Sequence, residues 1–205
     1  MNKLLPLLVL CVALLSGFAP RPAADGYKVG DKAADFQLKN VDGKLASLAS
    51  YPAAKGFIVV FTCNTCPFAK AYEGRILALD QKYAPLGYPV VAINPNDPAA
   101  APGDSYAAMQ QLAKSHHYTF PYLQDESQQV AHQYGATRTP HLYVLQRQGS
   151  DLKVAYVGAI DDNSEDAKQV KTKYLENAMS DLLAGKPAAT PTTQAIGCSI
   201  KWKKA

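Results

Sequence analysis

Cysteine is scarce in this 205-residue chain, which holds Cys11, Cys63, Cys66 and Cys198 and no others. The Cys63–Cys66 spacing is not repeated and no His-x-x-x-His occurs, so a tetrahedral zinc site would lack two of its ligands. No basic stripe interleaved with aromatics is present either. The formal charge is +4 and the lysines are scattered, apart from Lys201, Lys203 and Lys204 at the end. Nucleic acid is therefore not an expected partner. There is no internal repeat, and the stretch Pro95 to Gly103 reads as a loop. After the N-terminal run, no apolar segment is long enough to span a bilayer.

The N-terminal run has the layout of a secretory signal. Lys3 precedes an apolar stretch from Leu4 to Leu15, followed by small residues through Ser16, Gly17, Ala19, Ala23 and Ala24. The run is shorter than the ~20 residues of a spanning helix and contains Pro6. Expected boundaries are a signal peptide over 1–24, one domain over 25–185, and a Pro/Thr-rich tail over 186–205. Export to a periplasmic or extracellular setting follows, with no stable membrane insertion once the signal is removed. Cys11 leaves with the signal. Three cysteines remain, and an odd number cannot all be paired in a disulfide framework.

Four apolar runs predict strands buried on both faces: Phe57 to Phe61, Tyr88 to Ile93, Leu142 to Leu145 and Val154 to Val157. Between them, Phe68, Tyr72, Ile76, Leu79 and Tyr83 recur at helical spacing. Val170, Tyr174, Ala178 and Leu182 do the same and stop at Gly185. Shorter helices are expected over Asp104 to Ser115 and over Gln128 to Tyr134. Alternating strands and helices argue for an α/β fold with an open, mostly parallel sheet covered on both faces. Gln148-Gly149-Ser150 predicts a hairpin joining the last two strands.

Cys63-Asn64-Thr65-Cys66 sits where the first of these strands gives way to a helix. Pro67 has no N–H and belongs in a first turn, so the helix is expected to start at about Asn64 to Cys66. Both sulfurs then lie near the positive end of a helix dipole, which favours thiolate. A thiol pKa near 7 instead of ~8.5 gives roughly tenfold more attacking species at neutral pH. The two-residue gap lets one sulfur resolve a mixed disulfide formed at the other. A purely structural bridge at this spacing would staple almost no chain. Two thiolates with His141 would also suit copper, which leaves a metal reading open.

Thr139-Pro140 opens a later strand, where the proline is either an ordinary strand-start residue or a cis proline at a tight turn. Together with the Cys-x-x-Cys it resembles the thioredoxin fold, in which a cis proline packs beside the reactive pair and its backbone neighbour pairs with an extended substrate segment. The likeness extends to Thr62-Cys63-Asn64-Thr65-Cys66-Pro67-Phe68, Ala92 to Asp97, Phe120 to Glu126, Thr139-Pro140-His141, Ile160 to Asn163 and Ile196 to Trp202. These segments resemble a peroxiredoxin-like group of thioredoxin-fold redoxins related to alkyl hydroperoxide reductase and thiol-specific antioxidant proteins, from Val29 to Trp202. The resemblance implies a three-layer αβα sandwich with a mixed, mostly parallel central sheet.

It also implies a thiol-disulfide oxidoreductase with no cofactor, acting on thiol or disulfide proteins or on small thiols. The implied catalytic residues are Cys63, Cys66 and Cys198, with Thr139 and Pro140 docking substrate and Thr62, Arg138 and His141 as auxiliaries. Likeness to thioredoxin makes Cys63 the attacker, which is the favoured assignment because Cys66 precedes Pro67 in the first helical turn and is expected to be partly covered. Likeness to peroxiredoxin makes it Cys66. Aligned to a peroxiredoxin, Cys63 takes the threonine place and Val59 the proline place, and no arginine follows Pro140, although Arg138 is near. Disulfide exchange is therefore the leading expectation, with thiol peroxidase activity and Cu(I) delivery through Cys63, Cys66 and His141 as the alternatives. Cys198 is either a second resolving thiol or an unreactive one held to the body by Ile196, Ile200 and Trp202. His116-His117 reads as a helix cap, and Asp161-Asp162 as a turn or as part of the Pro140 edge.

Overall fold

Strand β4 (Gly56–Phe61) is buried at all six positions and organises the molecule. Side chains alternate across a strand. Ile58 and Val60 join one apolar layer, and Phe57, Val59 and Phe61 join the other. The computed structural model describes residues 26–204; the expected signal peptide and Cys11 lie outside the described residues.

The remaining elements, in chain order, are β1 (Lys32–Ala33), β2 (Leu38–Asn40), β3 (Leu45–Ala46), α1 (Pro67–Tyr83), β5 (Val90–Asn94), α2 (Tyr106–Ser115), β6 (Tyr122–Gln124), α3 (Gln129–Tyr134), β7 (Arg138–Thr139), β8 (His141–Gln148), β9 (Asp151–Gly158), α4 (Tyr174–Leu183) and β10 (Cys198–Ser199). Eight strands form one sheet in the order β1-β9-β8-β4-β5-β6-β2-β3, and β10 pairs with β7 apart from it. Helices α1, α2 and α4 contribute Tyr72, Ile76, Met109, Leu175 and Met179 to the layer on one face. Helix α3 contributes Val130, Ala131 and Tyr134 to the other. This is the three-layer thioredoxin fold. Burying a large apolar side chain from either layer contributes about 1.5–3 kcal/mol.

The sheet is mixed, but parallel pairing is confined to β4 with β5 and β5 with β6. The other pairings are antiparallel, because β8 returns beside β4 and the short N-terminal strands add to the sheet at both ends. The predicted β8–β9 hairpin is present. Helix α1 begins at Pro67 with Cys66 as its N-cap, slightly later than expected. Its buried stripe starts at Ala69, while Phe68 is exposed. The last helix starts at Tyr174, after a short turn where the spacing of Val170 had suggested an earlier start. Helix α2 begins at Tyr106, capped by the Ser105 hydroxyl, which accepts from the Ala108 N–H.

Candidate functional site

Cys63 and Cys66 occupy the turn between β4 and α1. Pro67 sits at the first helical position, where a missing N–H goes unnoticed, and Cys66 precedes it with extended backbone (φ −70°, ψ 127°). The Thr139-Pro140 peptide bond is cis. Thr139, at the end of β7, lies against both sulfurs. Thr139 Oγ1 lies 3.2 Å from Cys63 Sγ, and the Thr139 carbonyl oxygen lies 3.1 Å from Cys66 Sγ.

The third cysteine arrives from the tail. Cys66 is disulfide-bonded to Cys198, with Cα atoms 6.0 Å apart, and Cys63 is free and buried. Strand β10 pairs antiparallel with β7, Cys198 opposite Thr139 and Ser199 opposite Arg138. The Ile200 N–H donates to the Thr137 carbonyl at 3.2 Å, and Arg138 Nη1 donates to the Gly197 carbonyl at 2.9 Å. Beyond the strand, the Lys201 N–H donates to Asn96 Oδ1 at 2.9 Å, and the Asp97 N–H to the Lys201 carbonyl at 2.8 Å. Trp202 stacks on His132 with ring centroids 4.2 Å apart, and the Lys203 N–H donates to Gln128 Oε1 at 2.8 Å.

At Cys63, burial rather than the helix dipole sets the ionisation. Burial pushes its thiol pKa up. The nearby Thr139 hydroxyl pulls the other way, the Asp104 carboxylate pushes it further up, and the N–H groups of Cys66 and Thr65 lower it. Desolvation disfavours the charged form and is the largest of these effects, so Cys63 is held as a thiol while Cys66 and Cys198 are joined.

A buried polar network fixes the Asn64-Thr65 turn between the two cysteines. Asp104, which is 1 % exposed, accepts from the Asn64 N–H at 2.6 Å, from the Thr65 hydroxyl at 2.7 Å and from Asn96 Nδ2 at 2.8 Å. The Tyr122 hydroxyl donates to Asn64 Oδ1 at 2.7 Å and accepts from Asn94 Nδ2 at 3.1 Å. Sequence reasoning missed Asp104 and Tyr122 as parts of the site. Asp104 lies 39 to 40 positions from the turn that it holds, and no local spacing signals such a contact.

Cys63, with Thr62, also lines a cavity of about 340 Å³ bounded by α1, α2 and the Tyr118–Phe120 segment. Glu73 lies on its wall and accepts from the Tyr118 hydroxyl at 2.6 Å, while His116 Nδ1 lies 2.7 Å from the same carboxylate oxygen. His116 thus pairs with Glu73 as well as capping α2. Asp161 is buried, where it takes an ion pair from Arg75 at 2.7 Å and accepts from the Tyr72 hydroxyl at 2.9 Å.

His141 is buried beside Tyr143, ring centroids 4.9 Å apart, and its Nδ1 faces the Thr137 N–H at 3.4 Å. Burial, with the Arg138 charge adding to it, lowers its pKa to about 4. Among the described residues, no three His, Cys, Asp or Glu side chains are grouped to hold a metal ion, so Cys63, Cys66 and His141 do not form a ligand set here. No described helix is long and apolar enough to cross a membrane.

Comparison with known proteins agrees with this geometry. A crystal structure of an uncharacterized conserved protein from Geobacillus kaustophilus is 38% identical, with a TM-score of 0.80 over 87% of this chain and 94% of its own. The thiol-disulfide oxidoreductase ResA of Geobacillus thermodenitrificans is 26% identical over 129 residues, 62% of this chain and 68% of its own length. A thioredoxin family thiol:disulfide interchange protein from Chlorobium tepidum TLS shares the fold at 20% identity, with a TM-score of 0.54 over 69% of this chain and 93% of its own. The AhpC/TSA family model matches residues 29–174. The chain therefore belongs to the AhpC/TSA family, as a peroxiredoxin-like thiol oxidoreductase of thioredoxin fold.

Proposed function

We propose that the chain is an exported thiol-disulfide oxidoreductase in which three sulfurs act in relay, Cys66 being the one that exchanges with the partner. The observation that carries this reading is the pairing of β10 on the edge beside the cis proline, with the cysteine of the paired strand bonded to Cys66 rather than Cys63. A partner strand on the same edge would present its sulfur to the same atom. This favours the peroxiredoxin-like order of attack over the thioredoxin-like one.

With all three cysteines reduced, the Cys66 thiolate, favoured by the helix N-terminus, attacks a partner disulfide and releases one partner thiol. The tail and the partner compete for one edge, so Cys198 is absent at that moment and Cys63 must resolve the adduct. Cys63–Cys66 forms and the second partner thiol leaves. The tail then returns, Cys198 attacks Cys66, and Cys63 is freed as a thiol. The end point is the arrangement observed. An external dithiol restores the reduced chain. The signal-like segment 1–24 fits a setting where such chemistry persists, and the curated relative is itself a thiol-disulfide oxidoreductase.

Trapping tests the order. With Cys11 also replaced by Ser, a Cys63→Ser/Cys198→Ser chain, left with Cys66 alone, should accumulate a stable mixed disulfide with a disulfide-bonded peptide, and Cys66→Ser should form none at Cys63. Adducts on Cys63 in the Cys66→Ser chain, with none on the chain that keeps only Cys66, would contradict the assignment.

A further inference from the structure

We propose that the tail strand is a tethered stand-in for the partner, and that the Arg138–Thr139 edge accepts an extended polypeptide with a cystine sulfur opposite Thr139, glycine just before it and an aliphatic residue two positions after. This rests on the exchange reading above and names its substrate class.

Each element of the pattern has its own cause. Gly197 does not have the positive φ that would itself call for glycine. It is required by close approach: a Cβ there would overlap the Thr139 carbonyl and crowd the Pro140 nitrogen. Any strand in the same register meets the same wall. Ile200, 3 % exposed, belongs to the buried apolar cluster that includes Phe61, Tyr134 and Tyr143, so the second position after the cysteine is read by burial. Ser199 and Lys201 are exposed. Around them the tail is held through its main chain, by Thr137, Arg138, Asn96 and Asp97, which is how strand addition gains affinity without reading side chains. Phe68, exposed two residues from Cys66, adds an apolar contact beside the exchange point. A small thiol offers neither the strand nor the aliphatic anchor.

The arrangement also sets a direction. While Cys198 is bonded to Cys66 the edge is covered, so only the reduced chain admits a partner. The partner arrives as a disulfide, takes two electrons and two protons from the Cys63 and Cys66 thiols, and leaves as a dithiol. Cys198 then gives its proton to Cys63 as the S–S bond moves to Cys66–Cys198. Return of the tail bars rebinding.

The test uses the reduced full-length Cys198→Ser chain with Cys11 also replaced by Ser and the octapeptide Ala-Ile-Gly-Cys-Ser-Ile-Lys-Trp, activated at its cysteine as a 2-thiopyridyl disulfide, with thiopyridone release as the readout. The peptide should react at least tenfold faster than its Gly→Val form, its form with serine for the second Ile, or the glutathione derivative. A Gly197→Val/Cys198→Ser chain, whose own tail fits the edge poorly, should react faster still with the glycine peptide. Rates within twofold across all four probes, or no acceleration in the double variant, would overturn the proposal while leaving disulfide exchange intact. Failure of every probe, glutathione included, would instead remove the exchange reading on which it rests.

Discussion

Thr139 holds Cys63 through its hydroxyl, 3.2 Å from the sulfur, and this contact opposes the burial that keeps Cys63 protonated. Replacing Thr139 with Val should therefore raise the Cys63 pKa further. A neutral hydrogen bond is worth about 0.5–1.5 kcal/mol, so alkylation of Cys63 near neutral pH should slow by roughly two- to tenfold. Thr139→Ser should retain most of the rate. Iodoacetamide kinetics on the oxidised chain, in which only Cys63 is free among the described cysteines, make the measurement.

Asp104 acts on Cys63 in the opposite sense, since its charge raises the thiol pKa. Asp104→Asn should speed alkylation of Cys63 while weakening the fold. The loss falls on hydrogen bonds from Asn64, Thr65 and Asn96, and leaving such buried groups poorly paired costs about 1–3 kcal/mol. Urea unfolding and alkylation rates on the same variant should move in these two directions together. A variant slower in alkylation would remove Asp104 from the account of Cys63.

The Cys66–Cys198 bond spans a sequence separation of 132. In the chain-entropy view, a closed loop of this size stabilises by roughly 5 kcal/mol. Cys198→Ser should therefore lower the Tm of the oxidised chain by up to about 10–20 °C and leave the fully reduced chain nearly unchanged. Equal shifts under both conditions would mean that the serine disturbs packing rather than removing a cross-link.

His141 provides a pH dependence. Its folded pKa, about 4, lies below the ordinary 6.5 because burial disfavours the cation. Its contribution is thus fully present above about pH 6.5 and is lost as pH falls towards 4, by at most about 3 kcal/mol. His141→Phe should flatten the stability profile in that window. Unchanged slopes in denaturation between pH 7 and 4 would exclude this residue as the source.

How much of this was legible in the sequence depended on the range of each signal. The strand Phe57 to Phe61 and the start of α1 were readable because a five-residue apolar run and a proline announce themselves locally. Thr139-Pro140 became informative only when joined to the cysteine pair. Cys198 was a candidate resolving thiol from the resemblance, but strands of two residues, such as Arg138–Thr139 and Cys198–Ser199, have no periodicity to read, so the register that joins it to Cys66 rather than Cys63 was not legible. The sequence-based preference for Cys63 as attacker followed from likeness to thioredoxin, while the expected helix dipole favoured thiolate at both sulfurs alike. Burial outweighs that dipole at Cys63, and burial is a property of the packed chain. Asp104 was read only as the first residue of a helix, since its role depends on a turn some 40 positions away.

Thiol mapping of the full-length protein after mild oxidation tests the central relationship most directly, by differential alkylation and mass spectrometry of the proteolytic fragments. The account predicts one bond joining the Cys66 and Cys198 fragments, with Cys63 recovered as a free thiol. Recovery of a Cys63–Cys66 bond with Cys198 alkylated would contradict it.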